Sequence, residues 1–258
     1  MGEDLYACLS DHLGQDLPLV GLYDIRELAW IASLRESGET SSGYSIERVA
    51  TLYLERIQKA NPNGPYVLGG FSTGGAVAFE VARKLRGQGK KVDLVVLFDT
   101  VALGSLASMT FTQHLSQRWK NFQRYGLENQ KMKLKKNLGW AVKKLKATTS
   151  KLSRKPAVED KRRDLFESRV QYFREALISY RPAPYDGDVL LFVARDAIRP
   201  PGFIIDDSLG WEKYVKGKLT IRSLPGDHED ILREPNVRTV AKTIIQQTRQ
   251  SVSRHLEN

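Results

Sequence analysis

The sequence predicts an α/β fold in which helices cover both faces of a mostly parallel sheet. Short apolar runs rich in Val, Ile, Leu and Phe, each bounded by Gly, Pro or Asp, indicate strands that are buried on both faces. Helical segments alternate with the early runs, and this alternation is typical of a parallel sheet. The predicted strands comprise residues 17–22, 66–69, 94–98, 189–193 and 219–224.

The helical segments start and stop at residues that favour helix ends. Ser45 can cap the first of them with its hydroxyl, and Asn61-Pro62-Asn63-Gly64-Pro65 follows it. The second stops before Gly89, a residue that commonly follows a helix. Helices are predicted over residues 45–60, 75–88 and 237–251, and around His12.

Residues 101–179 interrupt this alternation, because they contain no convincing strand. Residues 131–155 carry nine lysines, one arginine and no acidic residue, and Leu134, Leu138, Val142 and Leu145 recur at helical spacing. This pattern predicts a basic amphipathic helix, followed by a second helix from about residue 164 to 180. We expect the insertion to form a helical lid over the carboxyl edge of the sheet, within one domain that spans residues 1–258.

The amino-acid composition limits the classes of protein to which this chain can belong. A chain of 258 residues with 41% hydrophobic residues can bury the core of one α/β domain. It has no apolar run of about 18 residues and no secretory signal, which predicts a cytoplasmic protein. Cys8 has no second cysteine to pair with, and the four histidines form no zinc-type cluster, so no structural metal is expected. The net charge of +10 favours anionic partners.

The pentapeptide Gly70-Phe71-Ser72-Thr73-Gly74 has the spacing of a nucleophile elbow, a tight strand-to-helix turn that exposes a serine hydroxyl. Such a pentapeptide also arises by chance, so the elements on either side of it decide whether it forms an elbow. It follows the predicted strand of residues 66–69 and leads into the predicted helix of residues 75–88, as an elbow requires. A side chain in place of either glycine is expected to collide with the neighbouring strand or helix. The sequence therefore predicts Ser72 as a nucleophile.

A serine hydroxyl needs a base to attack near neutral pH, and the base needs a carboxylate to orient it. Of the four histidines, only His228 lies in a loop directly after a predicted strand. It also completes the order serine, acid, histidine that serine hydrolases with this arrangement follow. Asp99 and Asp196 each come after a predicted strand, and their spacing alone does not choose between them as the orienting acid.

Several motifs together carry a family resemblance: Gly64-Pro65-Tyr66-Val67-Leu68-Gly69-Gly70-Phe71-Ser72-Thr73-Gly74-Gly75, Leu97-Phe98-Asp99 and Gly226-Asp227-His228. With them the chain resembles, over nearly its whole length, the terminal (type I) thioesterase domains of nonribosomal peptide synthetases and polyketide synthases, in the α/β-hydrolase superfamily. The resemblance implies Ser72 as the acyl-accepting nucleophile, His228 as the base and Asp99 as its partner. Asp196 would take that last role in the related stand-alone editing thioesterases, but Gly-Phe-Ser-Thr-Gly-Gly looks like the terminal type.

The resemblance also implies a reaction. An acyl or peptidyl chain, delivered on the phosphopantetheine of a carrier protein, would be transferred to Ser72 and then released by hydrolysis or cyclisation. The backbone amide of Thr73 would stabilise the oxyanion. The domain itself would bind no cofactor, since phosphopantetheine arrives with the carrier protein.

One expected element of the family is missing from the recognisable pattern. The family carries an upstream strand that ends in a His-Pro-x-Gly-Gly-like loop, which supplies a second backbone donor to the oxyanion, whereas the pattern here begins near Leu5. Loss of one donor lowers turnover by about 100- to 1000-fold. Two alternatives therefore stand beside a terminal thioesterase: a carrier-binding module with weak or no activity, and a stand-alone editing thioesterase.

The basic insertion suggests a partner. Carrier proteins are usually acidic, so its lysines could help them dock, although a solvated helix face explains the charge equally well. Nucleic acid is not an expected partner. Membrane binding is disfavoured, because the basic segment of residues 131–155 has Trp140 as its one aromatic anchor.

Overall fold

The computed structural model describes residues 3–15, 17–22, 25–37, 43–105, 158–199 and 205–256. The chain divides into two compact units, of which the first comprises Met1–Leu106, Glu167–Arg199 and Ile205–Asn258. The second comprises Ala107–Phe166 and Pro200–Ile204, and its described residues, 158–166, are helical. The predicted basic helix within residues 131–155, and with it most of the predicted lid, lies outside the described residues.

The described elements begin with three helices, after which helices and strands alternate as far as β3, and β4 follows β3 without a helix between them. In chain order they are α1 (Glu3–Leu13), α2 (Ile25–Glu36), α3 (Ile46–Ala60), β1 (Tyr66–Phe71), α4 (Thr73–Gly87), β2 (Val92–Phe98), a 3-10 turn (Leu103–Ser105), α5 (Val158–Ser179), β3 (Val189–Ala194), β4 (Leu219–Leu224), a 3-10 helix (His228–Leu232) and α6 (Asn236–Leu256). No helix among these described residues is long and apolar enough to cross a membrane.

The sheet is parallel throughout and has the strand order β1-β2-β3-β4. Every residue of β2 and of β3 is buried, as their continuous apolar sequences predict. Four of the predicted strands are thereby confirmed, and β4 has the predicted bounds. Because all four run in the same direction, the residues that follow them meet at one edge of the sheet.

The prediction of a strand over residues 17–22 is wrong. These residues are irregular, and three of their apolar side chains face solvent, with Leu19 38%, Val20 74% and Leu22 38% exposed, while Leu17 packs against the core. A buried strand needs a neighbouring strand to pair with, and no described strand lies beside this segment. The apolar composition therefore misled the prediction, since Pro18 and Gly21 both weaken a strand.

Helix boundaries differ from the predictions by a few residues. α4 starts at Thr73, directly after Ser72, two residues before the predicted start. α5 starts at Val158, while helical periodicity predicted about residue 164, and α6 continues past residue 251 to Leu256. α3 matches its prediction, and Ser45 caps it by accepting a hydrogen bond from the Arg48 amide.

Helices cover both faces of the sheet, as predicted. On one face, Leu9 and Leu13 of α1 and Val240 and Ile244 of α6 share a core cluster with Leu94, Val96 and Phe98 of β2. The intervening β2 residues, Val95 and Leu97, point to the other face, where α4 packs on β1 and β2. α3 covers α4 in turn. The helices cover the two faces of the sheet and leave the carboxyl ends of the strands, where the predicted site residues lie, uncovered by these helices.

β1 forms an edge of the described sheet. It pairs with β2 along one side, and Gly69 in its middle is exposed. At its carboxyl end, the Phe71 amide points away from β2 and donates a hydrogen bond of 2.9 Å to the Tyr6 hydroxyl. α1 thus supplies a side-chain acceptor for one amide on this edge.

Candidate active site

Ser72 lies at the junction of β1 and α4, in a backbone conformation that residues with side chains rarely adopt. Its φ is 55° and its ψ is −121°, a combination that is strained for a non-glycine residue. Two hydrogen bonds hold the turn: the Ser72 amide donates to Phe98 O at 2.8 Å, and the Gly75 amide donates to Ser72 O at 3.1 Å. The predicted elbow therefore has the expected strained strand-to-helix geometry.

The glycines that the elbow requires are not quite those predicted. A Cβ on Gly70 would overlap the backbone carbonyl of Gly74, so the first glycine of the motif is needed for close approach. A Cβ on Gly74 would meet nothing within 4 Å, and the prediction that its side chain would collide is wrong. The second crowded position is Gly75, where a Cβ would overlap the Thr100 side chain. The turn brings the backbone carbonyl of Gly74 against Gly70, whereas a side chain on Gly74 would point into open space.

Asp99 follows β2 and also has a left-handed backbone conformation, with a φ of 46°. Its side chain is buried, and Oδ1 accepts a hydrogen bond of 2.9 Å from the Ala194 amide. Oδ2 lies 2.6 Å from Nδ1 of His228. Burial raises the pKa of Asp99, but the hydrogen bonds from His228 and Ala194 and the charge of Arg199 together outweigh burial. The pKa of Asp99 therefore lies below its ordinary value, and the carboxylate is ionised at neutral pH.

Arg199 makes a second set of contacts with the same carboxylate. Its Nη1 lies 2.9 Å from both Asp99 oxygens, and its Nη2 donates to Ala194 O at 2.7 Å. The Arg199 side chain is 19% exposed and that of Asp99 is 1% exposed, so water screens this ion pair only weakly. Asp99 is thus held between an imidazole on one side and a guanidinium on the other.

A capped turn orients His228. The Asp227 side chain accepts a hydrogen bond from the His228 amide at 2.7 Å, and Asp230 returns the contact by accepting from the Asp227 amide at 2.8 Å. Gly226 precedes them with a φ of 96°, and a Cβ there would crowd Asp230. The imidazole keeps 37% of its side-chain surface exposed, which leaves it accessible to a reacting group.

The ring of Phe71 brings His228 next to the elbow. The centroids of the two rings are 4.4 Å apart, with an angle of 36° between their planes. Phe71 directly precedes Ser72, so the imidazole packs on the residue adjacent to the predicted nucleophile. Within the described part of the chain, no hydrogen bond joins the Ser72 hydroxyl to the His228 imidazole. Such contacts are often long in the unliganded form of a serine hydrolase and tighten when substrate binds.

Asp196, the alternative acid, has a different position. Its carboxylate accepts a hydrogen bond from the Gly226 amide at 2.8 Å, and its own amide donates to Gly226 O at 3.0 Å. These bonds tie the loop after β3 to the turn that carries His228. The structure therefore places the Asp99 carboxylate, and not that of Asp196, on the imidazole, while Asp196 binds the backbone of Gly226.

Sequence reasoning missed two residues beside Asp99. Trp211 is fully buried, and its indole N–H donates to Thr100 O at 2.8 Å, which anchors the backbone that follows Asp99. No pattern in the sequence connects Trp211 to Thr100. Arg199 had no local signal at all, because a single arginine five residues past a strand is ordinary. Thr73, the predicted oxyanion donor, is the first residue of α4, where backbone amides lack partners within the helix.

Comparison with known proteins identifies the family. The profile of the thioesterase domain matches residues 25–248. Chondramide synthase cmdD of Chondromyces crocatus is 29% identical over 263 residues, an alignment that covers 90% of this chain and 6% of the synthase. The chain thus spans only a small part of the length of this relative.

Solved structures agree with the fold. A four-domain nonribosomal peptide synthetase, holo-AB3403 bound to AMP and glycine, is 33% identical, with a TM-score of 0.51 over 78% of this chain and 16% of that one. The RedJ thioesterase of the prodiginine pathway in Streptomyces coelicolor is 17% identical, with a TM-score of 0.56 over 95% of this chain and 80% of that one, and shows the shared fold. Because the profile matches most of the chain, this chain belongs to the thioesterase domain family.

Proposed function

We propose that this domain releases an acyl or peptidyl chain from a thioester through a covalent intermediate on Ser72. Membership of the thioesterase family supports action on thioesters. The observation that carries the assignment of residues is the 2.6 Å contact between His228 Nδ1 and Asp99 Oδ2. The same imidazole packs on Phe71, the residue directly before Ser72, whose φ is 55°. A strained serine next to an imidazole that a buried carboxylate orients is the arrangement of a serine hydrolase.

The first half-reaction would acylate the enzyme. His228 takes the proton of the Ser72 hydroxyl as the oxygen attacks the thioester carbonyl carbon. Asp99 accepts the hydrogen bond from Nδ1–H, which leaves Nε2 free as the base and stabilises the imidazolium that forms. The tetrahedral intermediate collapses, the C–S bond breaks, and the imidazolium returns the proton to the departing thiolate.

The amide of Thr73 would stabilise the negative oxygen of that intermediate. Thr73 is the first residue of α4, so its N–H is one of the amides without a partner in the helix, and the helix dipole favours a negative charge there. Preorganised donors of this kind supply a large share of the rate enhancement in acyl transfer.

The substrate would arrive on a carrier protein. Chondramide synthase cmdD is a synthetase far longer than this chain, and holo-AB3403 is a four-domain nonribosomal peptide synthetase.

The second half-reaction follows when water, or a nucleophile within the bound chain, attacks the acyl-serine with His228 as base. Water gives a free acid and an internal nucleophile gives a ring.

The experiment measures release of a model acyl chain. Hexanoyl-N-acetylcysteamine and a hexanoyl-loaded carrier protein serve as substrates, and a fluorophosphonate probe reports whether the serine is activated. We expect the unmodified chain to release hexanoate and to be labelled at Ser72. Ser72→Ala should abolish both, and His228→Ala should lower release by at least about 1000-fold.

Ser223→Ala is the matched control, since Ser223 is an exposed serine in β4. It should retain the turnover and the labelling of the unmodified chain. Full release by Ser72→Ala would overturn the proposed nucleophile. Carrier binding without turnover or labelling in the unmodified chain would instead favour a binding module that keeps the hydrolase fold.

A further inference from the structure

The contact between Arg199 and Asp99 has no necessary place in a serine, histidine and aspartate mechanism. The catalytic carboxylate needs to accept from the imidazole and to keep its orientation, and the Ala194 amide already contributes to the second task. Arg199 adds a full positive charge at 2.9 Å from both oxygens. A cation so close to a buried carboxylate changes how strongly that carboxylate attracts a second cation.

The second cation in this site is protonated His228. Asp99 attracts the imidazolium, because its Oδ2 lies 2.6 Å from Nδ1. Arg199 shares the same oxygen and partly neutralises it, so the net attraction for a proton on the imidazole is smaller than that of an unpaired carboxylate. Arg199 therefore weakens the stabilisation that Asp99 gives to a positive charge on the imidazole, and so favours the neutral ring, the form that acts as a base.

The geometry of Arg199 also restrains the carboxylate. Nη1 contacts both Asp99 oxygens while Nη2 is held on Ala194 O, and Ala194 in turn donates from its amide to Asp99 Oδ1. The guanidinium, the carboxylate and the end of β3 therefore form a closed set of hydrogen bonds. A planar guanidinium can make these contacts at once, whereas a lysine ammonium cannot reproduce them.

We propose that Arg199 is a positioning residue that holds Asp99 against His228 and, through its charge, extends the activity of the domain to lower pH. The proposal rests on the proposed roles of Ser72, His228 and Asp99. It adds a fourth side chain to them, which acts through Asp99 and does not touch the substrate.

Other titratable and charged groups lie on the turn of His228 and on the elements packed against it, and they stay constant in the test. Its own turn carries Asp227, Glu229 and Asp230, and the loop after β3 carries Asp196. On the neighbouring helices, α1 contributes Tyr6 and His12, and α6 contributes Arg238, while Arg233 and Glu234 lie between the turn and α6. Because a substitution at Arg199 leaves these groups in place, the change in the pH dependence of activity reports the effect of the Arg199 charge alone.

The experiment compares the pH dependence of kcat/KM for hexanoyl-N-acetylcysteamine in the unmodified chain and in Arg199→Gln. We expect the acid limb to move to higher pH by about 0.5 to 1 unit, the size of one unit charge acting over several ångströms in a partly screened site. A 15N NMR titration of the imidazole, assigned with His228→Asn, should show the same displacement in the absence of substrate.

Arg199→Lys separates charge from geometry. It keeps the positive charge and loses the planar set of hydrogen bonds, so its acid limb should stay within about 0.3 unit of the unmodified chain while its maximal kcat/KM falls. Arg195→Gln is the matched control, because Arg195 is an exposed arginine in the same loop. Arg199→Met, which keeps an aliphatic stem, replaces Arg199→Gln if thermal melting shows that the latter is unfolded.

Two results would overturn the proposal. In one, the neutral variants leave both the acid limb and the imidazole titration within about 0.2 unit of the unmodified chain. In the other, Arg199→Lys displaces the acid limb and the imidazole titration as far as Arg199→Gln does, which would leave no role for the charge of Arg199. Neither result affects the loss of labelling in Ser72→Ala, so failure of this proposal is distinct from failure of the proposed function.

Discussion

His228 and Asp99 lie 129 residues apart in the chain, yet Nδ1 of the imidazole and Oδ2 of the carboxylate are 2.6 Å apart. Parallel pairing of β2, β3 and β4 produces this proximity, because it brings the loops after β2 and β4 to the same edge of the sheet. Asp196 follows β3 at the same edge, but its carboxylate binds the Gly226 amide instead.

This difference predicts unequal effects of two conservative substitutions. Asp99→Asn should lower kcat/KM for a model thioester by about 1000- to 10,000-fold, since an amide no longer orients or stabilises the imidazolium. Asp196→Asn should lower it by less than about tenfold, because the asparagine carbonyl can still accept from Gly226. Steady-state hydrolysis of hexanoyl-N-acetylcysteamine measures both. A larger loss in Asp196→Asn than in Asp99→Asn would reverse the assignment of the acid.

The elbow predicts opposite outcomes at its two motif glycines. Gly70→Ala should lower the free energy of unfolding by about 1–3 kcal/mol, because the new methyl group overlaps the Gly74 carbonyl. Gly74→Ala should leave it unchanged or raise it by up to about 1 kcal/mol, since the position is open and lies within α4. Urea unfolding followed by circular dichroism compares them. Equal destabilisation by the two would contradict the packing described for the turn.

A buried carboxylate predicts a stability effect far from the site. Glu27 is 1% exposed and accepts hydrogen bonds from Tyr44, Tyr53 and Arg169, which links α2, α3 and α5. Glu27→Gln should lower the free energy of unfolding by about 2–4 kcal/mol, because it leaves the Arg169 guanidinium without its carboxylate.

The control for this variant is an exposed ion pair of similar length. Glu55 lies 2.6 Å from Arg26, and both side chains are about half exposed. Glu55→Gln should therefore change the free energy of unfolding by less than about 1 kcal/mol. If chemical denaturation gave similar losses for Glu27→Gln and Glu55→Gln, burial would not be the source of the stabilisation.

The pKa of Asp99 predicts how stability responds to acid. Because its pKa in the folded chain lies below that in the unfolded chain, the ionised carboxylate stabilises the fold above about pH 4, and this contribution is lost as the pH falls toward the folded pKa. The unfolding free energy of the unmodified chain should thus decrease more steeply below pH 4 than that of Asp99→Asn. Denaturant titrations between pH 3 and pH 6 measure the difference, and parallel curves would refute it.

Local sequence was sufficient for much of the fold. Continuous apolar composition located β2 and β3, because strands buried on both faces leave no polar positions. Ser45 marked the start of α3 through its cap. Residues 17–22 show the limit of such reasoning, since they have the composition of a strand and no described strand to pair with.

The sequence by itself determined the elbow at Ser72, since a glycine-flanked serine between a strand and a helix depends on backbone conformation a few residues long. It also selected His228 as the candidate base, because this histidine follows the last strand in a glycine-containing turn. Only the tertiary structure decided that Asp99 contacts the imidazole, that Gly75 rather than Gly74 is crowded, and that Arg199 holds the carboxylate. These contacts join segments far apart in the chain. They depend on where the strand ends meet, and no local pattern of residues encodes that position.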